Sequence, residues 1–111
     1  MTYKTNMQPP YYAVIFTSVQ TSETRGYKQA AQLMEELAAK MPGFLGIEGA
    51  RNTDGERTGI TVSYWKTLED IARWKAQAEH KGAQRLGKSD WYDNYTVRIC
   101  KVERQYSFEN K

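Results

Sequence analysis

The chain has 111 residues, 40% of them hydrophobic and 13% aromatic, which suits one small folded core and excludes a disordered segment. Sixteen Lys and Arg against 13 Asp and Glu give a formal net charge of +3, spread without a basic run, so no nucleic-acid partner is expected. One Cys and one His provide neither a disulfide framework nor a metal cage, so no bound metal is expected.

The N-terminal residues lack the apolar stretch of a signal peptide, and no run reaches membrane-spanning length. With a single cysteine, the expectation is a cytoplasmic protein without a membrane partner. Residues 1–10 are polar and close on Pro9-Pro10, which suits neither a helix nor a sheet interior. They read as an N-terminal arm before one domain spanning 11–108.

Tyr11–Gln20 is rich in β-branched and aromatic residues and reads as a strand. Tyr11, Ala13, Ile15 and Val19 mark one face and Tyr12, Val14 and Phe16 the other, so both faces require cover. A helix follows, its core stripe running from Tyr27 through Ala30, Ala31, Met34, Leu37 and Ala38 to Met41 and stopping at Pro42-Gly43. Phe44–Arg51 is a short strand, and Asp54-Gly55 signals a hairpin turn into the antiparallel partner Gly59–Trp65.

Thr67 precedes Asp70 by three residues and marks the start of a second helix. Its inward stripe reads as Leu68, Ile71, Ala72, Lys75 and Ala78, with Trp74 off centre and His80 further round. Gly82 reads as a break or kink, and Ala83–Leu86 as a further turn ending at Gly87. The last strand reads as Asp93–Phe108, with Tyr95, Val97 and Ile99 on one face and Cys100, Val102, Tyr106 and Phe108 on the other.

This order predicts an α+β, ferredoxin-like βαββαβ fold, with both helices on one face of a four-stranded antiparallel sheet. The first and last strands are expected side by side at its centre. Because both carry apolar groups on both faces, the face without helices needs a lid. A second copy packed sheet on sheet supplies one, so a two-fold homodimer is expected, closed in part by the long last strand.

The stretch Gly59–Trp91 holds all three tryptophans, Trp65, Trp74 and Trp91, and the one histidine, His80. Such a cluster builds a pocket or an interface. His80 is the one side chain whose unperturbed pKa suits a base near neutral pH. Its plainer role is a surface group at a helix end. Trp65 and Trp91 also read as core or interface anchors. Arg98 reads as an anion holder or as the partner of Asp70 or Glu103, and Cys100 as a small buried apolar group. No G-x-S-x-G, phosphate loop or dinucleotide fingerprint occurs. The third strand, centred on Ile60, Thr61 and Val62, lacks the aromatic platform of RNA-recognition modules.

The combination PGFLG (Pro42–Gly46), ITVSYW (Ile60–Trp65), W-x5-H (Trp74 to His80), AQ-x2-G (Ala83–Gly87) and WY-x2-Y-x2-R (Trp91–Arg98) resembles the antibiotic-biosynthesis monooxygenase family. The resemblance implies a dimeric α+β barrel of two ferredoxin-like protomers. It also implies oxygenation of a small aromatic substrate, quinol- or anthrone-like, without metal or flavin. Some family members degrade haem with an Asn, a Trp and a ligating His. Trp74 and His80 are similar to that Trp and His, but Tyr11–Val19 contains no Asn.

The expected site therefore has His80 as catalytic base, with Trp74, Tyr64, Tyr95, Arg98, Trp65 and Trp91 binding the substrate between sheet and second helix. No cofactor is expected. The alternative is a non-catalytic dimeric module that binds a small hydrophobic ligand or haem.

Overall fold

A computed structural model describes residues 3–4, 7–52, 57–80 and 91–110. Its elements are β1 (Tyr3–Lys4), β2 (Tyr11–Gln20), α1 (Tyr27–Ala39), β3 (Phe44–Arg51), β4 (Thr58–Trp65), α2 (Leu68–His80) and β5 (Tyr92–Val102). The strands form one sheet in the order β1-β3-β4-β2-β5, every neighbouring pair antiparallel. From β2 onward this is the ferredoxin-like α+β arrangement. Two residues of the N-terminal segment add an edge strand, Tyr3 opposite Ile47 and Lys4 opposite Gly46.

The last strand differs from expectation in two respects. It ends at Val102 rather than Phe108, and it lies at an edge, because β4 takes the inner flank of β2 and leaves β5 the outer one. Residues 103–110 continue as irregular chain. The Asp54-Gly55 turn lies outside the described residues, as do Gly82, Ala83–Leu86 and Gly87. The strands flanking that turn pair through to Arg51 opposite Gly59, and the Asn52 N–H donates to the Thr58 carbonyl at 2.8 Å.

Register divides the sheet cleanly. Tyr12 lies beside Trp65 and Lys101, Val14 beside Ser63 and Ile99, and Phe16 beside Thr61 and Val97. These residues form the helix side. The opposite side carries Tyr11, Ala13 and Ile15, flanked by Tyr64 and Val62 on β4 and by Cys100 and Arg98 on β5.

The core lies on the helix side, where Trp65 is 0% exposed and packs with Ala38 and Ile71, ringed by Tyr12, Val14, Met41, Phe44 and Trp74. Its buried indole N–H donates to Ser63 Oγ at 2.9 Å, so no polar group is stranded there. The α1 stripe from Tyr27 to Met41 is buried or half-buried along its length, as its spacing predicts.

The inward side of α2 keeps Ile71 and Ala78 of the predicted stripe but is otherwise turned from it. Asp70 and Ile71 are buried and Trp74, Gln77 and Ala78 half-buried, while Leu68, Ala72 and Lys75 are exposed. Asp70 is the cause. It packs against Gly43, whose φ of +82° and bare Cα leave room that any Cβ would take from the carboxylate. Arg73 Nη1 donates to Asp70 Oδ1 at 2.7 Å, and Thr67 Oγ1 accepts the Asp70 N–H at 3.0 Å. With Asp70 turned inward, Trp74 follows one turn later. No described helix is long and apolar enough to cross a membrane.

Candidate functional site

The sheet separates the residues expected to share a site. Tyr64 and Arg98 belong to the face without helices, whereas Trp65, Trp74, Tyr95 and Trp91 belong to the helix side. On the helix side the aromatic groups form two clusters at opposite ends of the strands.

The first cluster is the core itself. Trp74 stacks on Trp65 with centroids 6.1 Å apart and an interplanar angle of 21°, and Phe44 meets Trp65 edge-on at 5.5 Å. Trp74 is therefore part of the packed core, not a group beside it.

The second cluster gathers where β2 and β5 meet the start of α1. Phe16 stacks on Tyr95 at 5.1 Å and 22°, and Tyr92 stands edge-on to both at 5.6 and 5.7 Å. Tyr27, in the first turn of α1, meets Tyr92 at 5.9 Å and Trp91 at 5.5 Å. The Trp91 indole N–H donates to the Arg25 carbonyl at 3.1 Å, fixing that ring. From Tyr95 the apolar floor continues along β5 through Val97 and Ile99, which are 48% and 53% exposed. An apolar surface thus remains open beside half-buried phenols.

Burial, more than any other cause, raises the pKa of the Tyr92 hydroxyl far above the ordinary tyrosine value. A hydrogen bond shared with Tyr27 adds to the shift, and the charge of Arg51 works against it. Across the sheet, burial and then the hydrogen bond to Glu48 shift Tyr64 in the same direction. Tyr64 donates to Glu48 Oε2 at 2.5 Å. Next to it, Tyr11 donates to Gln105 Oε1 at 2.6 Å, and Gln105 Nε2 donates to the Met7 carbonyl at 2.8 Å. The chain beyond β5 is thereby tied to the N-terminal segment, while Tyr106 and Phe108 stand 87% and 89% exposed.

His80 is exposed at the C-terminal end of α2. Six residues past Trp74, it is turned about 240° round the helix from it, and the structure does not bring it into either aromatic cluster. Arg98 does not pair with Asp70, whose partner is Arg73, and it is exposed on the opposite face. Cys100 is exposed rather than buried, because β5 is an edge strand. A cleft of about 240 Å³ lies beside α1 rather than α2, between Tyr27, Ala31 and Glu35 and the strand residues Ile47, Arg51 and Thr61.

The sequence pattern that defines antibiotic biosynthesis monooxygenases matches residues 10–86. The chain belongs to this family. It is 49% identical over 102 residues to the uncharacterised protein YqjZ of Bacillus subtilis, spanning 92% of this chain and 88% of that one. It is 31% identical over 94 residues to the jasmonate monooxygenase ABM of Pyricularia oryzae, spanning 82% of this chain but 43% of that longer protein. A mutant form of SnoaB, a cofactor-independent oxygenase from Streptomyces nogalater, superposes with a TM-score of 0.74 at 13% identity, over 91% of this chain and 100% of that one. That likeness bears on the fold.

The second cluster brings together Phe16, Tyr92 and Tyr95, of which only Tyr95 was expected. Phe16 is half of an alternating strand pattern and gives no separate signal. Tyr92 stands inside the WY-x2-Y motif, beside the Trp91 and Tyr95 that were selected. Among the described residues no group of three His, Cys, Asp or Glu side chains is placed to hold a metal ion.

Proposed function

We propose that the protein is a cofactor-independent monooxygenase of a small aromatic, quinol- or anthrone-like molecule. The observation that carries this reading is the open floor of Phe16, Tyr95, Val97 and Ile99 beside the half-buried Tyr92. A planar conjugated substrate stacks on such a floor, and the remaining face stays accessible to oxygen. Family membership and the named activity of SnoaB support the absence of a cofactor.

The chemistry asks little of the protein. An anthrone-type CH₂ loses a proton, and the resulting carbanion passes one electron to O₂. The radical pair then joins as a C–O bond, and the hydroperoxide loses water to leave a ketone. One oxygen atom stays in the product and the other leaves as water with the two hydrogens of the CH₂. The chain contributes an apolar stacking face and protonated phenols that can donate a hydrogen bond to the developing anion. His80 is proposed as proton acceptor on its chemistry alone, being the sole histidine, since it stands exposed at the end of α2 outside the aromatic floor. The six aromatic and basic residues of the expected pocket do not act together in this reading. Tyr95 contacts substrate, Trp91 buttresses Tyr27, Trp65 and Trp74 hold the core, and Tyr64 and Arg98 face away.

The molecule works as a homodimer in the cytoplasm. Ile60 is 42% exposed on the face without helices, and Tyr106 and Phe108 lie bare beyond β5; a second copy covers them.

Oxygen uptake by metal- and flavin-free protein, with an anthrone as substrate, tests the activity. Turnover with the ketone as product is expected, and His80→Ala should abolish it. Uptake unchanged in that variant removes His80 as the base. Saturable binding without oxygen consumption replaces the enzyme by a binding module. Titrating the same protein with haem separates a ligating role for His80, seen as a Soret shift that the variant loses.

A further inference from the structure

The geometry points to a second ligand site, for a small organic monocarboxylate, in the cleft beside α1, with Arg51 as its anchor. Arg51 ends β3 and is half-buried. A guanidinium in that position ordinarily meets a carboxylate, and among the described residues this one meets none. Its contacts are instead neutral. Nη1 donates to the Arg57 carbonyl at 2.9 Å, Nη2 donates to Ser18 Oγ at 3.2 Å, and Nη2 approaches the Tyr27 hydroxyl at 3.5 Å. The guanidinium carbon also lies 5.7 Å from the centre of the Tyr27 ring.

These contacts orient the group without neutralising it. Ser18 is 2% exposed and rigidly placed in β2. Opposite Arg51 on β4 stands Gly59, and a Cβ there would collide with the guanidinium, so the strand pair leaves room for the charge. Of the five N–H donors in an arginine fork, at least two, including Nε, have no partner among the described residues.

The cleft that opens on this fork has a volume of about 240 Å³ and is walled by Tyr27, Ala31 and Ile47, which suits a carboxylate carrying a small apolar body. Glu48, whose carboxylate accepts the Tyr64 hydroxyl, also lines the cleft, and so does Glu35. Glu35 is eight residues along α1 from Tyr27, about 12 Å of helix rise, and its charge disfavours a second carboxylate at the far end. Selection for a monoanion follows. The assignment concerns binding alone and stands apart from the oxygenation proposed above.

Phenylacetate and its neutral isostere phenylacetamide, titrated into full-length protein and followed by the ¹⁵N resonances of arginine side chains, test the site. The expected result is a saturable shift of the Arg51 Nε–H signal with phenylacetate and at least ten-fold weaker binding of the amide. Phenylenediacetate should bind at least several-fold more weakly than phenylacetate. Arg51→Gln should abolish phenylacetate binding, and Arg51→Lys, which keeps the charge but loses the fork, should weaken it about ten-fold. Equal binding of acid and amide by the wild-type protein, or undiminished phenylacetate binding by a folded Arg51→Gln variant, would overturn the assignment.

Discussion

The two ends of the helix side use aromatic side chains in opposite ways. At one end Trp65 is fully enclosed, its N–H satisfied by a serine on its own strand, and Phe44, Trp74, Ala38 and Ile71 close round it. At the other end Phe16, Tyr92 and Tyr95 pack on one another but leave Val97 and Ile99 open beyond them, and charge enters through Arg51. The same sheet surface thus passes from a dry core to a half-wet floor within β2. The difference is one of cover: α1 and α2 converge over the Trp65 end, and the edge position of β5 leaves its helix side bare.

If that contrast is right, mutations at the two ends should separate stability from binding. Trp65→Ala should have the largest effect, about 3–5 kcal/mol of folding stability, because it opens a cavity in the closed end. A urea melt measures it. Tyr95→Ala removes a stacked ring from the open end and should lower affinity for a product-like anthraquinone about ten-fold, while costing stability about 1 kcal/mol or less. Equal stability losses at both sites would erase the distinction.

A smaller effect concerns pH. Tyr92 and Tyr64 both have folded-state pKa values raised above the unfolded tyrosine value, by burial first and hydrogen bonding second. Their contribution to stability is whole below the unfolded value of about 10 and is lost as pH rises beyond it toward the folded-state values. Urea midpoints from about pH 8 to about pH 11 should therefore fall, and Tyr64→Phe with Tyr92→Phe should flatten that decline. Trp65 itself carries no titratable group, so Trp65→Ala should leave the slope unchanged.

The fold was legible because it is written in periodicities that burial enforces, with alternation in β2 and β4 and the three-four stripe of α1. Trp74 was misplaced for a definite reason. Reading α2 by hydrophobicity sends Asp70 outward, yet Gly43 makes space for it, Arg73 donates to its Oδ1 and Thr67 accepts its N–H. The glycine lay in the PGF motif, but nothing in one sequence connects it with a carboxylate 27 positions later. Arg51 escaped notice likewise, since a charged residue at a strand end looks solvated until Gly59 is placed across from it. His80 was chosen by its chemistry, and chemistry carries no information about which way a helix end points. The edge position of β5 decided the rest: it exposes Cys100 and Arg98, which pattern alone had placed under cover.

The most direct test of where substrate binds is an amide and indole shift map of the protein titrated with a product-like anthraquinone. The account predicts that the backbone amides of Phe16, Tyr92 and Tyr95 move with saturation while the Trp65 indole N–H stays still. Movement at Trp65 and Trp74 with a silent β5 would place the ligand at the closed end and contradict it.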